Sequence, residues 1–381
     1  MNKSFKNKYL HIVSVALLCV PMAAQAQLAF VLNSNDDTLS LIDVKTYKEI
    51  SRTRVGREPH HWAITPDDKS LIIGSVQSND LTFVDPVTGA FQKRIDKISD
   101  PYQIGFSPDK KWLVSASLAL DRTDIYNASD YKLVKRIATP RGPSHMAFSA
   151  DSSIVYITLE RSNEVAFIDL ATHKVRSVHT VGKAPVGIWL TPDGKHLLVG
   201  LLGEDHVVVM DAKSGKIIKK ITTAKGTHNF AALGDKRRLF LTNRIANSIS
   251  IIDMNTLSVL ETFPVPGGPD DMEVTADGKE LWVTSRWAQK VTVIDLETRK
   301  VKQQIPVGRS PHGIYLRNHA PREERRRIVR CAAGLNHTCR ARATMQRHAV
   351  PDHRHRLDEP CRADREHPEP TQHQGHVLSG E

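Results

Sequence analysis

A 42-residue period runs through this chain seven times without an insertion or deletion. Asp43, Asp85, Asn127, Asp169, Asp211, Asp253 and Asp295 each close an apolar stretch, and Asp67, Asp109, Asp151, Asp193, Asp235 and Asp277 mark a turn. A third series, Pro59, Pro101, Pro143, Pro185, Thr227, Pro269 and Pro311, opens another stretch in the same register. Three independent landmarks in step mean that the chain is one supersecondary unit stacked on itself.

Inside each copy the apolar residues alternate or run in short stretches, as in Leu197, Leu198, Val199 and then Val207, Val208, Val209, Met210, with Gly, Asp, Asn and Ser between them. Such stretches are strands, four to a copy. Pro192, Asp193 and Gly194 form a hairpin corner: Pro presets φ, Asp bonds its own backbone and Gly tolerates positive φ. Four antiparallel strands per ~40 residues, repeated seven times, predict an all-β, seven-bladed β-propeller of four-stranded antiparallel blades. The phase also predicts how the ring closes. Leu28 to Leu32 has the pattern of a second strand and Gly313 to Leu316 that of a first strand, so the N- and C-terminal strands complete one blade together. Closure of this kind removes free sheet edges.

Composition sets the flanks. Lys3, Lys6 and Lys8 precede an apolar run from Leu10 to Ala23 and the triplet Ala24, Gln25, Ala26, the layout of a secretory signal peptide over 1–26. The run is too short to span a bilayer, so no membrane anchor and a periplasmic or secreted monomer are expected. The propeller is assigned to 27–317. Between Cys19 and Cys331 there is no cysteine, which excludes disulfides and thiolate metal ligands from the folded part. Net charge is +11 for the chain but only +5 from Leu28 to Arg317, too mild to argue for nucleic acid by itself. Residues 318–381 contain no Lys and no aromatic residue, but 12 Arg and 8 His. A stretch so poor in large apolar groups is expected to be disordered. The abrupt switch reads as a frameshifted translation, with a genuine His-rich extension as the alternative.

The Pro series defines a ring of loops on one face of the propeller, beside the channel mouth. The residue after each landmark gives His60, Tyr102, Ser144, Val186, His228, Asp270 and His312; the next gives His61, Gln103, His145, Gly187, Asn229, Asp271 and Gly313. His228, Asp270, His312 and His60 hold equivalent places on four consecutive blades and form the candidate metal set, for a divalent transition metal or, as a lesser alternative, a haem iron. Asp270 beside Asp271 strengthens it, because adjacent carboxylates are costly without a cation. His61, His145, Asp271, Arg286 and Trp287 are candidate ligand-binding residues. Loops between second and third strands bring further rim residues, including Arg161, Glu204 and Arg244, and an Arg with a Trp suits a flat ligand or a base. Trp62, Trp112, Trp189 and Trp282 lie in strands and read as core.

The phrases Leu41-Ile42-Asp43, Val293-Ile294-Asp295, Pro311-His312-Gly313 and Thr191-Pro192-Asp193-Gly194-Lys195 make residues 28 to about 317 resemble the YVTN family of β-propeller repeat proteins. The resemblance implies the propeller fold and several different activities. Relatives include surface-layer proteins, a periplasmic propeller that binds single-stranded DNA, propeller lactonases, and the eight-bladed haem d1 domain of nitrite reductases. The expectation drawn is a non-enzymatic binding module that holds a metal, small ligand or protein at the Pro-loop face. A lactonase-like metal-assisted hydrolase and a single-stranded nucleic-acid binder are the alternatives.

Overall fold

A computed structural model of the chain describes residues 27–139 and 141–321. The leader read at 1–26 and the tail from residue 322 onward lie outside the described residues. The described chain holds 28 strands in seven four-stranded antiparallel sheets, with no helix among the described residues. Six sheets are quartets of consecutive strands, and the seventh joins both ends of the chain. In that blade β28 (Pro311–Leu316) pairs with β1 (Leu28–Asn33), followed by β2 (Thr38–Asp43) and β3 (Lys48–Arg54). This is the seven-bladed ring that the period predicts, closed where the phase predicts.

Local chemistry explains the landmarks. At the corner before His196, Thr191 Oγ1 donates to Asp193 Oδ1 at 2.7 Å, the amide of Lys195 donates to the same oxygen at 3.0 Å, and Gly194 takes a φ of 71°. At the next hairpin Asp211 Oδ1 accepts the amide and the hydroxyl of Ser214, both at 2.7 Å. Each aspartate replaces a turn hydrogen bond that the backbone alone could not make.

The core is divided into seven apolar clusters, one at each junction between neighbouring blades. Burial falls outward along a blade. In one blade Leu197 to Leu201 and Val207 to Met210 are buried, whereas five of the six residues of the outermost strand, Ile217–Thr222, are exposed, Lys219 and Lys220 among them. Charge on these outer edges discourages pairing with another molecule. Strand β28 ties two junctions together: Ile314 and Leu316 pack with Ala29, Val31 and Trp282, while Tyr315 packs with Phe30 and Leu32 on its other side. Each such fully buried side chain contributes roughly 1.5–3 kcal/mol. Ordered packing continues past Arg317, since His319 bridges Thr275 and the Ala320 amide donates to the Val274 carbonyl at 2.8 Å.

Candidate functional site

The inner strand of each blade starts at the Pro landmark, and its first residues build the hub. In β4 (Pro59–Ile64), Pro59 pairs with Ser75 and Trp62 with Ile73, so three steps on this strand oppose two on β5 (Leu71–Ser75). That is a β-bulge, which breaks strict alternation and re-aims the side chains within it. It lets two successive residues, His60 and His61, both sit in the hub, with ring centroids 4.9 Å apart. The same irregularity recurs in β12 (Pro143–Phe148), β16 (Pro185–Leu190), β20 (Thr227–Ala232), β24 (Pro269–Val274) and β28.

The structure brings the histidines of four blades together. His312 lies 3.7 Å from His60 and 4.6 Å from His61, centroid to centroid; His145 lies 5.0 Å from His61 and His228 5.5 Å from His145. Tyr102 stacks on His60 at 4.1 Å. Gly313 permits the closest of these approaches, because a Cβ there would meet the His60 carbonyl oxygen at 2.9 Å. Expected at the channel mouth, these side chains are instead inside it: His60 is 3% exposed, His228 1%, and Asp270 and His312 0%. The inner strands of neighbouring blades converge too closely at this level to leave the rings in solvent.

Burial decides the charge state. It pushes His60, His61, His145 and His312 well below the ordinary imidazole value, and His228 down to about 4, so all five are neutral near pH 7. For Asp270 burial acts upward, but the Arg244 guanidinium, helped by the adjacent His228 imidazole, overcomes it and holds the carboxyl well below its usual range. Asp270 is therefore the hub's carboxylate. Its Oδ1 accepts Arg244 Nη2, its Oδ2 accepts Arg286 Nη1 at 3.1 Å, and His228 Nδ1 lies 3.0 Å from Oδ1. Arg244 Nη2 also reaches His228 Nε2.

Among the described residues, two groups have the spacing of metal ligands, with donor atoms within 4.8 Å of one another: His60, His61 and His312, and His228, Asp270 and His312. The expected set of His60, His228, Asp270 and His312 is thus divided between two groups that share His312. Among the expected ligand-binding residues, His61 and His145 lie in the hub and Arg286 on its carboxylate. Trp287 stands apart, 56% exposed, beside Gly268 on the rim. The adjacent carboxylates require no external cation, since Arg244 and Arg286 meet Asp270 and Asn229 Nδ2 donates to Asp271 at 2.9 Å. Of the tryptophans read as core, Trp282 is fully buried and Trp62 Nε1 donates to the Ile314 carbonyl at 2.8 Å.

Arg244 is the hub residue that a reading of rim loops alone undervalues. The repeat register contains the missing signal: Arg244 and Arg286 are one period apart, at the position that the other blades fill with Ser34, Val76, Leu118, Glu160 and Leu202. Two cations on adjacent blades, flanking Asp270, form a pattern that only alignment of the repeats reveals.

The profile of YNCE-like beta-propellers matches residues 12–322. No curated protein matches the chain. Among solved structures, a functionally unknown protein from Desulfotomaculum acetoxidans is similar with a TM-score of 0.67 and 15% identity, over 76% of this chain and 99% of that one. A chain of hydrazine synthase from Kuenenia stuttgartiensis gives a TM-score of 0.62 and 19% identity, over 74% and 99%. A dihydro-heme d1 dehydrogenase gives 0.59 and 16%, over 77% and 76%. At these identities the structures share a fold and nothing finer. The profile match covers most of the chain, with the propeller and its closing strand inside it, and on that ground the protein belongs to the YNCE-like beta-propeller family.

Proposed function

We propose that this propeller is an exported binding module whose hub holds one divalent transition metal between His60, His61 and His312. One observation carries the reading: His60 Nδ1, His61 Nε2 and both ring nitrogens of His312 are buried without a hydrogen-bond partner, and the three residues offer ligand atoms within 4.8 Å of one another. A buried polar atom left unpaired costs about 1–3 kcal/mol, so several together call for an occupant. Neutral imidazole is the ligand form that zinc, copper, nickel and iron accept, and three such donors leave a coordination position open.

The chemistry of the second group argues against a metal there. Both oxygens of Asp270 are engaged by guanidinium groups, and His228 Nε2 faces Arg244, whose positive charge would repel a cation. Relative to the set expected from the sequence, His61 takes the place of His228 and Asp270. A macrocycle fits poorly, because the rings of His60, His61 and His312 already stand 3.7 to 4.9 Å apart. Export follows from the leader pattern at 1–26, and the open coordination position would serve to hold a ligand.

Metal content of the full chain after exposure to Zn²⁺ or Co²⁺ and dialysis tests this. About one ion per chain is expected for the unaltered protein, none for His61→Ala or His312→Ala, and an unchanged amount for His228→Ala. Absence of metal from the unaltered protein, or equal loss in His228→Ala, overturns the assignment.

A further inference from the structure

Arg244 and Arg286 approach one carboxylate from adjacent blades, and they bring more donors than the hub accepts. A guanidinium carries five N–H groups. The acceptors these two meet are the two oxygens of Asp270 and His228 Nε2. Arg244 Nε is buried without a hydrogen-bond partner. The side chains are 15% and 24% exposed, so both reach toward the opening of the hub while their ends lie inside it. Glu160 holds the equivalent register position two blades away, with Leu202 on the blade between.

We infer that Arg244 and Arg286 form an oxyanion subsite of the hub, which takes a small carboxylate or phosphate against their unused N–H groups. Planar guanidinium forks match both anions through paired, charge-assisted hydrogen bonds. The subsite adjoins the proposed metal ligands, because Asp270 Oδ2 lies 3.1 Å from Arg286 Nη1 and 3.6 Å from His312 Nε2. An anion held there would also face the metal's open position, and only that second contact depends on the metal reading.

Isothermal titration of the full chain with succinate and with inorganic phosphate, metal-free and Co²⁺-loaded, separates the two ideas. One anion per chain is expected, with cobalt strengthening its binding and shifting the cobalt visible spectrum. The relative affinities of succinate and phosphate show which class the subsite prefers. Arg286→Gln should weaken anion binding about tenfold, the loss of one charged hydrogen bond, and leave the cobalt content unchanged. Arg286→Lys, which keeps the charge and loses the fork, should also bind more weakly. Failure of both anions to bind either the metal-free or the cobalt-loaded chain, or equal binding by Arg286→Gln, overturns the subsite. Arg286-dependent anion binding in a chain that takes up no cobalt would keep the subsite and remove the metal.

Discussion

Two arcs of one ring bury polar side chains to the same depth and satisfy them unequally. In the arc of His228, Asp270, Arg244 and Arg286, the carboxylate has two guanidinium partners and an adjacent imidazole. That arc leaves Arg244 Nε and His228 Nδ1 without a hydrogen bond of good geometry, whereas in the arc of His60, His61 and His312 four ring nitrogens have no partner and no residue there is fully paired. The histidines and Asp270 of both arcs come from the same landmark of the repeat, at the bulge of an inner strand, while Arg244 and Arg286 enter from the loops between second and third strands. The difference teaches that burial of a histidine says little about its role. The set of partners around it distinguishes a structural ion pair from spare ligand atoms.

The largest expected effect comes from cutting the strand that the arcs share. β28 carries His312, which belongs to both groups, and Ile314, fully buried at the closing junction. Ile314→Asp places an unpaired charge there and should cost more than about 4 kcal/mol, enough to prevent closure. Circular dichroism and gel filtration would then report loss of the compact β form, and a native-like profile would count against closure by this strand.

Next comes a direct contrast between the arcs. Asp270→Asn strips two part-buried guanidinium groups of their fully buried carboxylate and should cost about 3 kcal/mol in urea unfolding. His61→Leu removes an unpaired buried nitrogen and should stay within about 1 kcal/mol. Equal losses would erase the distinction between the arcs.

Acid provides a smaller effect of known sign. His228 titrates near pH 4 in the folded protein and near 6.5 when unfolded, so the unfolded chain binds more protons between those values. Stability attributable to His228 is therefore present above pH 6.5 and falls by about 3 kcal/mol as pH drops toward 4. The other hub histidines shift in the same direction and steepen the loss. Asp270 stays ionised through this window and adds its own loss only below the ordinary carboxylate range. Urea midpoints between pH 7.5 and 4.5 check this, and stability that stays flat would show that the imidazoles are hydrated.

Most of the fold was legible in the residues because its determinants are local and repeated: Asp193 and Asp211 make the same turn bonds wherever the period places them. The hub was legible only as a ring of positions. Alternation along a strand would send His60 and His61 to opposite sides, and the bulge between Pro59 and Trp62 overrides it. No sequence pattern in β4 announces that bulge. The partners of Asp270 were obscured for a different reason, since Arg244 sits in another blade and meets Asp270 only after the ring forms.

Anomalous diffraction from crystals of the full chain grown with Co²⁺ tests the central claim most directly. A single cobalt peak within bonding distance of His60, His61 and His312, and away from Asp270, is the predicted result. A peak on Asp270 and His228, or no peak in the hub at all, would contradict it.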